Sequence, residues 1–220
     1  MTARDASPAG EKALAVTDRS CFFLDMGKGA ATREAVIDEA LRQAVDLGLE
    51  GISLGGLAEA LKLSKSGLFA HFRSKEALQI AVLDEAAERF RRKVVEPALT
   101  APRGAPRLRA LFERWLDWIE GEPSMNGCVF AVASQEFDAR PGRVRDRLVE
   151  VQGEWHELLA RVATDLSSEG RAPAAYGRQV AFEVVGLGLS FQLHGKLMNR
   201  RDARMRAEEG FERLLRESAV

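Results

Sequence analysis

Residues Ser53 to Leu78 read SLGGLAEALKLSKSGLFAHFRSKEAL. Leu54, Leu57, Ala58 and Leu61 fall at i, i+3, i+4 and i+7, which sets them on one face of a short helix. The pattern then predicts a turn at Lys62-Leu63, a second short helix over Ser64 to Phe72, and a longer helix opening at Ser74. Leu63 is placed to plug the turn, and Leu68 and Phe72 lie four apart on the inner face of the second helix. Its outer face carries Lys65, Ser66, Phe69 and His71: donors, a small residue and a flat ring. Ser53, Ser64 and Ser74 each stand where an N-cap is needed. Two short helices across a tight turn are the pattern of a helix-turn-helix reader of DNA.

Residue types agree with a known family over three successive helices. Leu57-Ala58-Glu59-Ala60-Leu61 and the run from Leu63 to Leu78 resemble the DNA-binding domain of TetR-type transcriptional regulators, over roughly Thr32 to Phe90. Two positions depart from the family: Lys62 stands where Gly is frequent in the turn, and Phe69 where Tyr is frequent. A left-handed Lys is uncommon but accessible, and Phe69 keeps the ring without a hydroxyl for a phosphate. The resemblance implies an all-α fold. In it, an N-terminal three-helix helix-turn-helix DNA-binding domain joins, through a long helix, a C-terminal helical ligand-binding and dimerisation domain, about nine helices in all. It further implies a homodimer on a palindromic double-stranded DNA operator, released by a small apolar or aromatic effector, with no cofactor.

Composition agrees. The chain has 220 residues, 46% of them hydrophobic, and a formal net charge of −1. That balance argues against coating nucleic acid by bulk charge, but a specific reader needs only a locally basic face. Between Met26 and Lys75 stand Lys28, Arg33, Arg42, Lys62, Lys65, Arg73 and Lys75, against Glu34, Asp38, Glu39, Asp46, Glu50 and Glu59. Those acids lie mostly on the first helix. The longest apolar run, near Val180 to Leu193, is interrupted by Glu183, Gly186, Gly188, Ser190 and Gln192, too polar and too short for a membrane span. No secretory signal is evident, and a cytoplasmic protein is expected. Cys21 and Cys128 are far apart, which does not suit a disulfide framework. His71, His156 and His194 lack metal-ligand spacing, so no metal site is expected. No phosphate loop, nucleophilic triad or Glu-x-x-His pattern points to catalysis.

Three stretches are expected along the chain: a mostly disordered arm at 1–30, the DNA-binding domain at 31–78, and the effector and dimerisation domain at 79–220. Met26 stands near a natural start for the family domain, so the native start is expected at Met26 or at Met1. A first helix is expected from a Thr32 cap to Leu47, stopped by a left-handed Gly48. The helix from Ser74 to Pro97 should act as a strut between reader and effector domain. Further helices are expected from Arg107 to Glu120 (Trp118 off its stripe), Gly127 to Phe137, Val144 to Leu166, Ala174 to Leu197, and Asp202 to Arg216. In the last, Met205, Phe211, Leu214 and Leu215 should face inward.

These elements carry the candidate sites. Lys65, Ser66, Gly67 and Phe69 are assigned to base edges, where Lys suits guanine acceptors and an apolar ring suits a thymine methyl. Arg33, Ser53, His71 and Lys75 are assigned to phosphates, which position the protein without reading sequence. An effector pocket is assigned to Trp115, Trp118, Cys128, Phe130, Gln135, Phe137, Trp155, His156, Tyr176, Phe182 and Gln192. Because the Ala174–Leu197 helix is apolar nearly all round, a dimer interface is assigned to Val184, Leu187, Gly188, Phe191 and Leu214. Other readings of the same residues are a constitutive or activating regulator, and a helical small-molecule binder that has lost DNA affinity.

Overall fold

The structure is a computed structural model describing residues 19–121, 127–166 and 173–218, with backbone alone over 19–31. Residues 1–18 of the expected arm, the side chains of Cys21 and Lys28, and the break expected at Glu169-Gly170 lie outside the described residues. Helix α1 spans Arg19–Leu47, so it opens well before Thr32, which sits inside it rather than capping it. Helix elongation adds one hydrogen bond per residue fixed, and no proline interrupts Arg19 to Leu47. The chain divides into two compact units, Met1–Glu34 and Ala35–Val220. In the first, the description is confined to helical backbone and the side chains of Thr32, Arg33 and Glu34. Apart from the exposure of Arg33, everything below concerns the second.

There, Val36, Ile37, Ala40, Leu41 and Ala44 turn one face of α1 inward. Gly48 stops the helix at φ 78. Helices α2 (Leu54–Ala60), α3 (Lys65–His71) and α4 (Lys75–Phe90) follow. Ser53, Ser64 and Ser74 cap them, each side chain accepting from a backbone N–H in the first turn, of Gly56, Gly67 and Ala77. Substituting such a cap by Ala costs about 1 kcal/mol. Lys62 takes the left-handed turn at φ 54. Leu57, Leu68, Phe72 and Leu78 close the small core of the reader.

Beyond Phe90, α4 passes through one π turn, Arg91–Val95, into α5 (Glu96–Leu99) without a break. The rod therefore runs past Pro97, which follows directly on the π turn, where the wider backbone spacing accommodates a residue that cannot donate to the preceding turn. The rest comprises α6 (Ala105–Glu120), α7 (Val129–Phe137), α8 (Arg143–Ala163), α9 (Ala174–Gln192) and α10 (Ala203–Ser218). Short irregular turns, Thr164–Leu166 and Leu193–Leu197, extend α8 and α9. With α4 and α5 counted as one rod, there are nine continuous helices and no strand among the described residues. None of them is long and apolar enough to cross a membrane.

α6, α8, α9 and α10 pack on one another around a core in which the Phe112 and Phe211 rings stack at 4.2 Å. Gly188 of α9 lets that helix approach α6, because a Cβ there would lie 2.2 Å from the Trp115 ring. Two orientations differ from expectation. Trp118 is buried, edge-on to Phe90 at 5.4 Å. Met205 is exposed, because Ala203, Ala207, Phe211 and Leu214 define the inner face of α10 and Met205 lies opposite.

Candidate functional site

Burial of Leu68 and Phe72 fixes the rotation of α3, and the same rotation turns Lys65, Ser66, Gly67 and Phe69 outward. Phe69 is 52% exposed, an aromatic ring left in water on a helix only two turns long. Gly67 N donates to Ser64 Oγ at 3.1 Å, and Ser66 Oγ lies 3.3 Å from the same atom. The first turn of α3 is therefore rigid and nearly bare. Ser53 accepts from Gly56 N at 3.0 Å, and its own O–H remains able to donate. His71 is half-buried at the end of α3, and Arg33 is exposed on α1. The exposed cations Lys62 and Arg73 flank the reader helix at either end.

Lys75 is differently engaged. Its Nζ donates to the Glu50 carbonyl at 2.5 Å and lies 3.3 Å from Glu50 Oε2. An anion at the start of α4 would compete with that pair. Glu50 belongs to a polar joint that sequence reasoning missed. Gln79, 3% exposed, donates to Leu49 O at 2.9 Å and to Glu50 Oε1 at 3.0 Å. Arg140 stands 3.4 Å from Glu50 Oε2. The Gln79 amide, with Lys75 and Arg140, holds the Glu50 carboxyl below its usual range. From α7, Glu136 Oε2 accepts the Leu49 N–H at 2.7 Å. A Cβ on Gly48 would lie 1.9 Å from Glu136 Oε1, so Gly48 serves both the turn and this contact. One signal was present: Gln79 is a lone polar side chain within the apolar stripe of α4.

The largest group of the predicted pocket residues meets in one cavity. Trp115, Cys128, Phe130, Trp155, His156 and Gln192 line a space of about 40 Å³, together with Phe90, Ala131, Val151, Gln152, Val185 and Leu189. Phe90 is the hub, edge-on to Trp155 at 4.9 Å, Trp118 at 5.4 Å and Phe130 at 6.2 Å. Sequence reasoning had absorbed Phe90 into the strut, because periodicity shows a side chain's face and not what it meets. Trp155 Nε1 and Gln192 Oε1 are buried without a hydrogen-bond partner. Burial lowers the pKa of His156, keeping the imidazole neutral, and pushes the Cys128 thiol up.

The remaining assignments fall elsewhere. Trp118 lines a separate recess with Lys93, Arg114 and Asp117. Gln135 is exposed on α7, and Phe137 is buried at that helix's end, outside the cavity. Tyr176 is held by its hydroxyl, which donates to Ser218 O at 2.9 Å. Phe182 is 70% exposed on the outside of α9 and does not line the cavity.

The interface residues also need correction. Val184, Gly188, Phe191 and Leu214 are buried within a single chain, and Leu187 packs on Gly210 of α10. A helix apolar on every side gives no periodicity from which to choose its inner face. The face left in water carries Phe182, Gly186, Leu189 and Leu193, with Leu197 beyond. Their spacing forms one stripe, and nothing lies within 4 Å of a Cβ built on Gly186.

Comparison with known proteins accords with both halves of this architecture. Residues 36–82 match the bacterial regulatory proteins of the tetR family, and residues 104–211 match the tetracyclin repressor-like C-terminal domain. Among solved structures, a TetR-family transcriptional regulator from Streptomyces coelicolor superposes with a TM-score of 0.73 at 20% identity, covering 88% of this chain and 97% of that one. A TetR regulator from Chloroflexus aurantiacus gives 0.73 at 24% identity, covering 86% and 94%. AibR, solved with isovaleryl coenzyme A and operator DNA, gives 0.68 at 21% identity, covering 83% and 97%. No curated protein sequence matches the chain significantly. Those solved structures share the fold, and the two family matches fall on the DNA reader and on the helical domain behind it. The chain belongs to the TetR family of DNA-binding transcriptional regulators and is not an enzyme.

Proposed function

We propose that the protein is a homodimeric repressor, released from a palindromic operator when a small apolar or aromatic effector occupies the cavity around Trp155. The observation that carries this reading is the double membership of α4. Its first turn follows the reader helix, and its last residue, Phe90, forms part of the cavity wall. A ligand that displaces Phe90 acts on the rod that sets the reader's position. α7 offers a parallel route, since Phe130 and Ala131 line the cavity while Glu136 holds Leu49 beside the reader. Both helices favour one arrangement of the reader over another, as population shift requires.

Dimerisation is supported by the outer face of α9. Phe182, Leu189, Leu193 and Leu197 form an apolar stripe, and Gly186 permits close approach of a second helix. Two copies related by a two-fold axis present two α3 helices, and successive major grooves on one DNA face lie about 34 Å apart. In this arrangement Lys65, Ser66, Gly67 and Phe69 read base edges, while Ser53, His71, Lys75 and Arg33 meet phosphates.

The test is a fluorescence-anisotropy titration against the DNA upstream of the protein's own gene, at several salt concentrations, alongside analytical ultracentrifugation. A dimer that prefers this DNA to a scrambled duplex is expected. A monomer at micromolar concentration, or equal affinity for both duplexes, would refute the proposal.

A further inference from the structure

The cavity around Trp155 and an open groove beside it share a wall. The groove, about 750 Å³, lies between α4, its π turn and α8, and both spaces are bounded by Phe90, Val151 and Trp155. The inner cavity is only about 40 Å³, room for a water or two. An effector of ordinary size can occupy it only by moving part of its wall. On the α9 side, Leu189 belongs to the stripe that the proposed dimer covers. The groove side stays open, and there Phe90 stands at the last residue of regular α4, where the backbone relaxes into its π turn.

The chemistry of the two spaces differs. Among the described residues no Lys, Arg, Asp or Glu lines the inner cavity, and burial disfavours the charged forms of both His156 and Cys128. Its two unpaired polar atoms are one donor, Trp155 Nε1, on a side chain 7% exposed, and one acceptor, Gln192 Oε1. A buried polar group without a partner is costly, so a complementary ligand supplies an acceptor and a donor and carries no charge there. The groove has an apolar floor at Val95, Leu99 and Leu158, and two of its three cations, Arg147 and Arg91, face carboxylates of the chain itself, Arg161 being the third. Arg147 meets Asp84 at 2.7 Å and Glu150 at 3.1 Å, and Arg91 meets Glu88 at 2.6 Å. Glu154 and Glu157 add further negative charge. A polyanionic tail finds no surplus of cations.

We infer that the effector is an elongated, uncharged molecule, whose flat head, bearing one hydrogen-bond acceptor and one donor, displaces Phe90 and whose apolar tail lies in the α4–α8 groove. This rests on the effector-gated reading above and deepens it by naming the ligand class.

The experiment titrates the full-length protein with 4′-hydroxyacetophenone (head alone), 4′-hydroxyoctanophenone (head and tail) and octanoyl-coenzyme A (polyanionic tail). Calorimetry reads binding, and a parallel assay reads retention of operator DNA. The long ketone is expected to bind at least tenfold more tightly than the short one. Trp155→Phe, which keeps a ring and removes the N–H, should weaken the long ketone about five- to tenfold. Leu158→Glu should abolish the advantage of the tail and leave the short ketone unaffected. Circular dichroism and operator binding check that both variants fold. Tighter binding of octanoyl-coenzyme A, no ketone binding, or indifference of the long ketone to Trp155→Phe would each overturn the ligand class. Ketone binding that passes these controls without operator release would sustain the site and overturn effector gating. Operator release by octanoyl-coenzyme A alone would do the reverse.

Discussion

Glu136 and Gly48 should behave as a coupled pair. The Glu136 carboxylate accepts the Leu49 N–H at 2.7 Å, and Leu49 is fully buried. Truncation by Glu136→Ala leaves that N–H without its acceptor, and losing a charge-assisted bond of this kind costs about 1.5–3 kcal/mol. In a domain of this size, about 2 kcal/mol corresponds to roughly 4–8 °C in Tm. Gly48→Ala carries two penalties: a left-handed φ of 78, worth about 1 kcal/mol for a residue with a Cβ, and a Cβ 1.9 Å from Glu136 Oε1. That collision displaces the carboxylate, so Gly48→Ala by itself also weakens the bond to Leu49. In the double variant there is no carboxylate to displace, and only the backbone strain is added. The double variant should therefore be more stable than the sum of the singles predicts, by about 1–2 kcal/mol, within the range for residues in contact. Urea unfolding followed by tryptophan fluorescence measures the cycle, provided the m-values agree. Additivity to within about 0.5 kcal/mol would show that the Gly48–Glu136 contact is not made in solution and would remove α7 as a route to the reader.

Trp155→Phe trades a buried donor without a protein partner against part of a ring packed on Phe90 and Trp115, so the ligand-free protein should lose no more than about 2 kcal/mol in urea unfolding; a larger loss would show that Nε1 is satisfied in the free protein. Gly188→Ala drives a methyl to within 2.2 Å of the Trp115 ring, and overpacking should cost about 1–3 kcal/mol by the same assay; an unchanged midpoint would mean that α9 does not approach α6 as described. Lys65→Ala should cost about 1–3 kcal/mol against the operator and relax selectivity at one base position, whereas Arg73→Ala should weaken all duplexes alike; equal effects across sequences would deny Lys65 a base. Acid should destabilise the protein in two stages. His156 has a native pKa lowered by burial, so its contribution is complete above the unfolded value of about 6.5 and is lost as pH falls below it. Glu50, lowered by Gln79, Lys75 and Arg140, contributes fully above about 4.3 and loses that contribution as pH falls through its lower native value. His156→Asn should remove the first slope and Glu50→Gln the second; persistence of either slope would assign it to another group.

The helix-turn-helix was legible because three local rules coincide there. Period fixes the inner face through Leu57 and Leu68, caps fix the boundaries through Ser53, Ser64 and Ser74, and the turn tolerates Lys62. Each rule involves residues within a few positions of one another. The start of α1 was missed because Thr32 offers a good cap that a continuing helix does not need. The interface residues were misassigned for a related reason: α9 is apolar on both faces, and only the positions of α6, α8 and α10 show which face lies inside. The aromatics of the cavity were visible as a class but not as a set, since Tyr176 and Phe182 sit on the same helix as Gln192 and point elsewhere.

What composition and period could not show is how the two ends of α4 are loaded. At its start, Gln79 and Lys75 meet Glu50 in a polar joint that Glu136 of α7 and Arg140, from the turn after it, extend. At its end, Phe90 is fixed by rings from α6, α7 and α8. Polar contacts of this kind depend on short distances and defined angles, whereas edge-on ring contacts tolerate centroid separations of about 4.5–7 Å. A displacement small enough for the rings to absorb is thus enough to break the joint. On the effector-gated reading proposed above, that asymmetry would make the Phe90 end the input and the Glu50 end the output, a shift of the ring being registered by the joint at the reader.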